Sequence, residues 1–294
     1  MAISQNLRGI GAIILATGAF VANDTCMKLA LSDAPPFQVL VMRGIAACVW
    51  CLPVIYAMGL IRELPKAFNP WVVLRSFSEV VAILCFVTAL KHMPIADVTA
   101  IAQLAPFVVL LGMWLFFGEK AGGIRLALVG VGITGALLVA QPGGDTASPF
   151  AIFGFFTAVG AAGRDILSRK VPPRTPALAV TFSTLFIVMM SAVVMSALFE
   201  TQVTPTFRHG WLMFIAGFFL MCGHTLVFMA YRMAPARVVA PFNYSFMIWA
   251  GLSGLIVFHE VPNGLAIAGM LLIMAAGLAV VMLEGRTRQG EVKG

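Results

Sequence analysis

The chain has 294 residues, of which 61% are apolar and only 11% are charged, and its mean hydropathy is +0.98. Soluble domains carry roughly 25% charged residues, and their exterior needs more polar surface than this chain can supply. The composition therefore excludes an ordinary soluble protein and indicates an integral membrane protein. The net charge of +7 does not indicate nucleic-acid binding, because the basic residues form short caps between apolar runs.

Ten apolar runs are each long enough to cross the hydrocarbon core, which takes about 20 residues of helix. The runs are continuously apolar, whereas barrel strands alternate with polar residues that face the lumen, so an all-α fold is predicted. The connections are short, which places both fold and function in the membrane. In chain order, spans 1 to 10 are predicted at residues 9–31, 37–59, 71–90, 96–117, 124–140, 150–169, 176–199, 210–231, 238–258 and 263–283.

The distribution of Lys and Arg predicts the orientation of the spans. Cytoplasmic ends and loops of membrane proteins carry an excess of these residues. Most of them, such as Arg8, Arg62 and Arg174, fall on one side of the predicted bundle, and only Lys91 and Arg208 fall on the other. Both termini are therefore predicted to be cytoplasmic.

A repeat runs through the chain at a constant offset of 141 residues. Asp24 aligns with Asp165, as Pro94 does with Pro235. The chain is thus predicted to consist of two domains, a five-helix repeat at residues 1–141 and a second at residues 142–294 that ends in a short cytoplasmic tail. Because five is odd, the second repeat is inverted in the membrane. Inverted repeats are typical of secondary transporters, which bind solute between the repeats.

Two motifs carry a resemblance to a known family. The stretch ALKHMPIADVTA at residues 89–100 is followed by FFGEK at residues 116–120, and both are echoed at residues 233–236 and 258–260. Together with the five-plus-five repeat, they resemble the EamA branch of the drug/metabolite transporter superfamily over essentially the whole chain. His259 departs from the family pattern, since Gly usually precedes the Glu, and no Lys follows Glu260.

The resemblance implies a multi-pass protein of the bacterial inner membrane, similar to amino-acid exporters of the YddG type. Members of the superfamily move amino acids, nucleotide sugars, riboflavin, sugar phosphates or drugs, so the motifs do not identify the substrate. We expect a secondary transporter that exports amino acids or related metabolites by alternating access. The alternatives are an importer of a vitamin or nucleotide derivative with the same fold, and a non-transporting membrane scaffold.

No enzyme signature occurs in the sequence, which has no HExxH, Walker loop or Ser-His-Asp order. We therefore expect no catalytic residues, no cofactor and no metal. The expected partners are a small-molecule solute and the lipid bilayer, with protons as a candidate coupling ion and no nucleic acid. A monomer and a homodimer are both compatible with the sequence.

Polar residues within the spans mark the predicted substrate-binding site, because a charge at the centre of a membrane helix costs about 2.5–3.5 kcal/mol on insertion scales. By the offset, Asn23 corresponds to Arg164 and Gln103 to Tyr244, so the outer and inner halves hold related clusters. The predicted site residues are Asn23, Asp24, Arg43 and Gln103 in the outer half, Ser78, Glu79, Arg164, His224, Asn243 and Tyr244 in the inner half, and the aromatic Trp249.

Two pairs within these clusters have alternative interpretations. Asp24 and Arg43 lie at matching depth, which predicts either an ion pair that locks spans 1 and 2 or direct contacts with charged groups of a solute. Glu79 and Arg164 offer the same two alternatives in the inner half. Glu79 and His224 are also the candidate proton carriers, because a coupled transporter needs a group whose protonation changes between states.

Overall fold

A computed structural model describes residues 2–117, 122–141, 148–168, 170–172 and 174–291. Within these residues, ten helical spans are long and apolar enough to cross a membrane, which confirms the predicted all-α architecture. The motif residues Glu119 and Lys120 lie outside the described ranges.

Eight spans are each one continuous helix. Proline at the first helical position begins spans 2 and 3, where a missing N–H costs nothing, and the Asn69 side chain caps span 3 by accepting from the Trp71 and Val72 amides. A 3-10 helix, Leu60–Phe68, connects these two spans. The continuous spans are Ala2–Ala30 (span 1), Pro36–Ala57 (2), Pro70–His92 (3), Gly123–Ala140 (5), Ala151–Ser168 (6), Ala177–Phe199 (7), Phe207–Met233 (8) and Gly264–Glu291 (10).

Spans 4 and 9 are broken at corresponding positions of the two repeats, whereas the sequence predicted continuous helices there. Span 4 consists of Ile95–Ala102 and Ala105–Phe117, and span 9 of Ala236–Val239, a 3-10 turn at Ala240–Tyr244, and Ser245–Val257. Pro106 follows the first break and Pro241 lies in the second. Proline removes a helical N–H and clashes with the carbonyl four residues back, which explains both breaks.

The two halves interlock instead of standing side by side. Span 1 packs along span 8, and span 3 packs along span 6. These two contacts are equivalent, because the offset of the repeat relates span 1 to span 6 and span 3 to span 8. Spans 5 and 10 pack against each other, and at their crossing the two backbones are so close that a Cβ on Gly135 would lie 2.7 Å from the Gly269 carbonyl. Small residues permit this approach of membrane helices.

The face on which span 1 ends, called the outer face from the predicted orientation, is tied across by polar contacts. Lys28 Nζ lies 2.5 Å from Glu260 Oε1 and donates a hydrogen bond of 2.8 Å to the Met93 carbonyl. The Ile95 amide donates to Glu260 Oε2 at 3.2 Å. We call Lys28, Glu260 and these two backbone groups the outer seal. The same face also holds Arg208 against Asp33, the Glu200 carboxylate against the amides of Phe37 and Gln38, and Gln141 against Asn263.

Candidate functional site

A cavity of about 560 Å³ lies between the two halves, with walls from spans 1 to 4 and spans 6 to 10. Its volume suits a small metabolite, since ligand pockets measure roughly 300–1,000 Å³. Both helix breaks open onto it, through Gln103 and Pro106 of span 4 and Asn243 and Tyr244 of span 9. Gln103 Nε2 donates to the Asn243 carbonyl at 3.4 Å and so joins the breaks. Irregular backbone at membrane depth is tolerated where it lines such a cavity.

The structure brings most of the predicted site residues together in the cavity wall, and places Ser78 and Trp249 elsewhere. Ser78 faces Gly163 on the neighbouring span 6. Trp249 donates its indole N–H to the Ile14 carbonyl at 3.0 Å and lines an apolar groove on the outside of the bundle. The predicted residues that line the cavity are Asn23, Asp24, Arg43, Glu79, Gln103, Arg164, His224, Asn243 and Tyr244.

The inner part of the cavity holds a compact ionic cluster. Arg164 lies 3.0 Å from Glu79, the pairing that the sequence offered as one alternative, and 2.8 Å from its neighbour Asp165. Arg75 also lines the cavity and was missed by the sequence reasoning. It donates to the hydroxyls of Ser168 and Thr184, each at 2.9 Å. Its position one helical turn before Glu79 was the signal that could have identified it.

Asp24 and Arg43, which the sequence offered either as an ion pair or as separate solute contacts, interact electrostatically but do not form a direct ion pair in the structure. Asp24 accepts a 2.8 Å hydrogen bond from the Asn23 amide and forms no ion pair with a described residue. Arg43 is only 5% exposed, and its guanidinium donates no hydrogen bond to the described part of the chain. Span 8 packs against both span 1 and span 2, and the two residues face the cavity from these two helices.

Exposure to water falls along the cavity from the inner to the outer end. The side chain of Asp165 is 50% exposed, that of Arg164 30% and that of Glu79 24%, whereas Asp24 is 6% exposed and Asn23 only 2%. The outer seal lies beyond this closed end. The cavity therefore opens on the face where span 6 ends, which is the predicted cytoplasmic face.

Aromatic rings give the cavity an apolar wall. Phe20 lies edge-on to the His224 ring, with centroids 5.1 Å apart, and stacks near Phe246 at 6.4 Å. Glycine makes room for these rings: a Cβ on Gly223 would lie 2.6 Å from Phe20, and one on Gly277 would overlap the Tyr244 hydroxyl. Charged groups and aromatic faces in one chamber suit an amphipathic solute.

Among the residues that the structure describes, no three His, Cys, Asp or Glu side chains cluster as metal ligands would. The cavity carries guanidinium, carboxylate and amide groups, which can bind charged and polar groups of a solute by hydrogen bonds.

Comparisons with known proteins identify the family of the chain and relatives of similar length. The family model described as the EamA-like transporter family matches the chain twice, at residues 7–141 and 149–283. The chain is similar to the pseudopaline exporter CntI of Pseudomonas aeruginosa, with 26% identity over 284 residues, 96% of this chain and 97% of that protein. It is also similar to the S-adenosylmethionine uptake transporter of Rickettsia bellii, with 22% identity over 288 residues, 97% of each chain. A solved crystal structure shares the fold, with a TM-score of 0.63 and 21% identity over 97% of this chain and 98% of that one.

Proposed function

Because the chain belongs to the EamA-like transporter family, we propose that it exports amino acids and related small metabolites across the bacterial inner membrane. Its membership of this family and its similarity to known transporters identify the protein as a small-molecule transporter of that membrane, and not an enzyme. What we propose beyond this is the direction of transport, which is export, and the class of solute, which is amino acids.

The observation that carries the proposal is the cavity between the two halves, which is lined by both broken helices and by paired charges of both signs. Amino acids and their derivatives carry both signs of charge on a small skeleton. An apolar wall next to the charges, formed by Phe20 and Phe246, matches the side chain of such a solute. Transporters with inverted repeats place their solutes at this interface.

Alternating access follows from the same geometry. The cavity is closed by the outer seal and open at the inner end, which in this proposal is the state that receives solute from the cytoplasm. If the two repeats exchange conformations, the closed and open ends exchange with them. The proton gradient or the gradient of the solute itself supplies the energy, with Glu79 and His224 as candidate proton carriers.

Import of a nucleotide or vitamin derivative is the second candidate function. It is favoured by the similarity to an S-adenosylmethionine uptake transporter over nearly the whole chain. The two candidates share the cavity and differ in solute and in the direction of net flux.

Counterflow in proteoliposomes tests both candidates. Vesicles loaded with one unlabelled solute are diluted into the same labelled solute, with labelled amino acids, riboflavin, S-adenosylmethionine and nucleotides taken in turn. We expect labelled amino acids to accumulate transiently, and protein-free vesicles to show none. Accumulation of S-adenosylmethionine or riboflavin alone would favour the second candidate, and no exchange of any solute would contradict transport through this cavity. Net efflux from preloaded cells that express the protein then decides the direction.

A further inference from the structure

Arg43 is a buried cation that forms no hydrogen bond or ion pair with a described residue, although it interacts electrostatically with Asp24 and Glu79. It is 5% exposed, lines the cavity, and its Nε atom is enclosed without an acceptor among the described residues. Leaving a buried donor or charge unsatisfied is costly, so such groups in proteins are normally paired or hydrogen-bonded. The guanidinium is a planar fork whose N–H groups match a carboxylate.

Asn23 and Asp24 present unsatisfied acceptors at the same closed end of the cavity. The Asn23 amide nitrogen donates to Asp24, but Asn23 Oδ1 is buried and accepts from no described residue. The Asp24 carboxylate is 6% exposed and has only this one amide as a donor. These oxygens match an ammonium group, which donates three hydrogen bonds and carries the opposite charge.

The donor and the acceptors lie on different helices of the cavity wall, and no hydrogen bond joins them. Gly44, the residue after Arg43, lies against span 7, where a Cβ would be 2.7 Å from Met189 Cβ. Asn23 and Asp24 lie on span 1, which packs along span 8. Because all three residues line the same cavity, a molecule there with one negative and one positive group can satisfy both ends.

We propose that Arg43 binds the carboxylate, and Asn23 with Asp24 the ammonium, of a zwitterionic solute held in the cavity. This rests on the proposed function and narrows its solute class to small molecules that carry both groups. The other two guanidiniums are already engaged, Arg164 by Glu79 and Asp165, and Arg75 by two hydroxyls. Among the described residues, Arg75 donates hydrogen bonds to neutral groups only, which makes it the competing anion site.

Three compounds that share one ring test the two poles in the unmodified protein. L-Phenylalanine carries both groups, 2-phenylethylamine lacks the carboxylate, and 3-phenylpropionate lacks the ammonium, while the aromatic wall accommodates the ring that all three share. Each is tested as a competitor of labelled L-phenylalanine counterflow. We expect L-phenylalanine to compete at least tenfold better than either analogue. Equal competition by 2-phenylethylamine would overturn the assignment of Arg43.

Variants then assign each pole to its residues. Arg43→Gln should weaken the apparent affinity for L-phenylalanine roughly ten- to a hundredfold, because a hydrogen-bonded charge pair is lost. Arg43→Gln should leave the apparent affinity for 2-phenylethylamine nearly unchanged. Arg43→Lys keeps the charge but not the planar guanidinium, so its apparent affinity for L-phenylalanine should lie between those of Arg43→Gln and the unmodified protein. Asp24→Asn should show the opposite selectivity, with 3-phenylpropionate unaffected. Arg62→Gln, which removes an exposed Arg of the loop between spans 2 and 3, is the matched control.

The failures of the two proposals are distinguishable. If the unmodified protein exchanges no solute of the panel, the proposed function fails. If it exchanges a solute without a carboxylate, such as riboflavin, better than any amino acid, transport stands and the zwitterion assignment fails. If Arg75→Gln and not Arg43→Gln abolishes the preference for the carboxylate, the anion site is Arg75. If Arg43→Gln does not fold, the three-compound competition and Arg43→Lys still decide the question.

Discussion

The outer seal gives the most direct prediction about conformational change. In the structure, Glu260 holds Lys28 of span 1 with one carboxylate oxygen and the Ile95 amide of span 4 with the other. The seal thus joins the first half of the chain to the connection between spans 9 and 10. The variant Glu260→Gln keeps the size of the side chain and an acceptor for the Ile95 amide, and removes only the charge opposite Lys28. We expect it to open the outer face more often.

The size of the effect follows from the burial of the pair. The side chain of Lys28 is 11% exposed and that of Glu260 25%, which lies between a surface pair and a fully buried one. Exposed pairs contribute roughly 0.2–1 kcal/mol, and removing one partner of a buried pair costs about 3–5 kcal/mol. Lys28 also keeps its hydrogen bond to the Met93 carbonyl. If the closed state loses about 1–2 kcal/mol of stabilisation, the ratio of open to closed outer faces rises roughly five- to thirtyfold.

A single cysteine in the cavity reports this shift. Ile83, which lines the cavity, is replaced by Cys in a variant without the five natural cysteines. A membrane-impermeant maleimide is added to spheroplasts, which expose the outer face, or to everted vesicles, which expose the inner one. Labelling in spheroplasts should rise several-fold to about thirtyfold with Glu260→Gln. An unchanged rate would refute the idea that this pair closes the outer face.

Two further variants separate the seal from general destabilisation. Glu63→Gln breaks the exposed Lys66–Glu63 pair in the loop between spans 2 and 3, and should not change labelling from either side. The double variant Lys28→Met with Glu260→Gln should label more slowly in spheroplasts than Glu260→Gln alone, because the ammonium group that has lost its carboxylate partner is then removed as well.

Three other predictions concern glycine positions and proton coupling. Gly277→Ala should reduce counterflow more than tenfold by pushing Tyr244 into the cavity, whereas Gly251→Ala, which meets no atom within 4 Å, should not; equal activity would show that the Tyr244 position is unimportant. Gly269→Ala should lower the melting temperature in detergent, since overpacking against Gly135 costs about 1–3 kcal/mol, while Gly130→Ala should leave it equal or higher. Glu79→Gln should abolish the dependence of counterflow on pH; an unchanged pH profile would exclude Glu79 as the coupling residue.

The fold could be predicted from the sequence because its causes are local and repeated. Apolar runs of the right length predict spans, and a constant offset predicts two similar halves, so the ten helices needed no knowledge of tertiary contacts. The breaks in spans 4 and 9 were missed although Pro106 and Pro241 were visible. A proline inside a membrane helix kinks it in some proteins and is tolerated in others, depending on what the freed backbone groups meet. That information exists only in the folded cavity.

The site could be predicted in composition but not in pairing. The predicted site residues include four of the six charged residues that the structure describes in the cavity wall, since the burial of a charge needs a polar interior, and omit Arg75 and Asp165. Which of them form pairs depends on which helices are neighbours. Glu79 meets Arg164 because spans 3 and 6 pack together, whereas spans 1 and 2, which carry Asp24 and Arg43, both pack against span 8. Sequence adjacency of spans 1 and 2 was therefore a misleading guide.

The two repeats are similar in fold, but many of their aligned positions in the cavity wall carry different side chains. The offset places Arg43 opposite Thr184, Asn23 opposite Arg164 and Gln103 opposite Tyr244, and all six line the cavity. The backbones of the two halves are thus alike, while the side chains that face the solute are not. Similar backbones allow the halves to exchange conformations at little energetic cost, but a cavity with identical walls would accept a solute equally well in two opposite orientations. These three pairs differ in charge or polarity, whereas Asp24 aligns with the identical Asp165, so we expect the three unlike pairs to give a solute with distinct poles one preferred orientation.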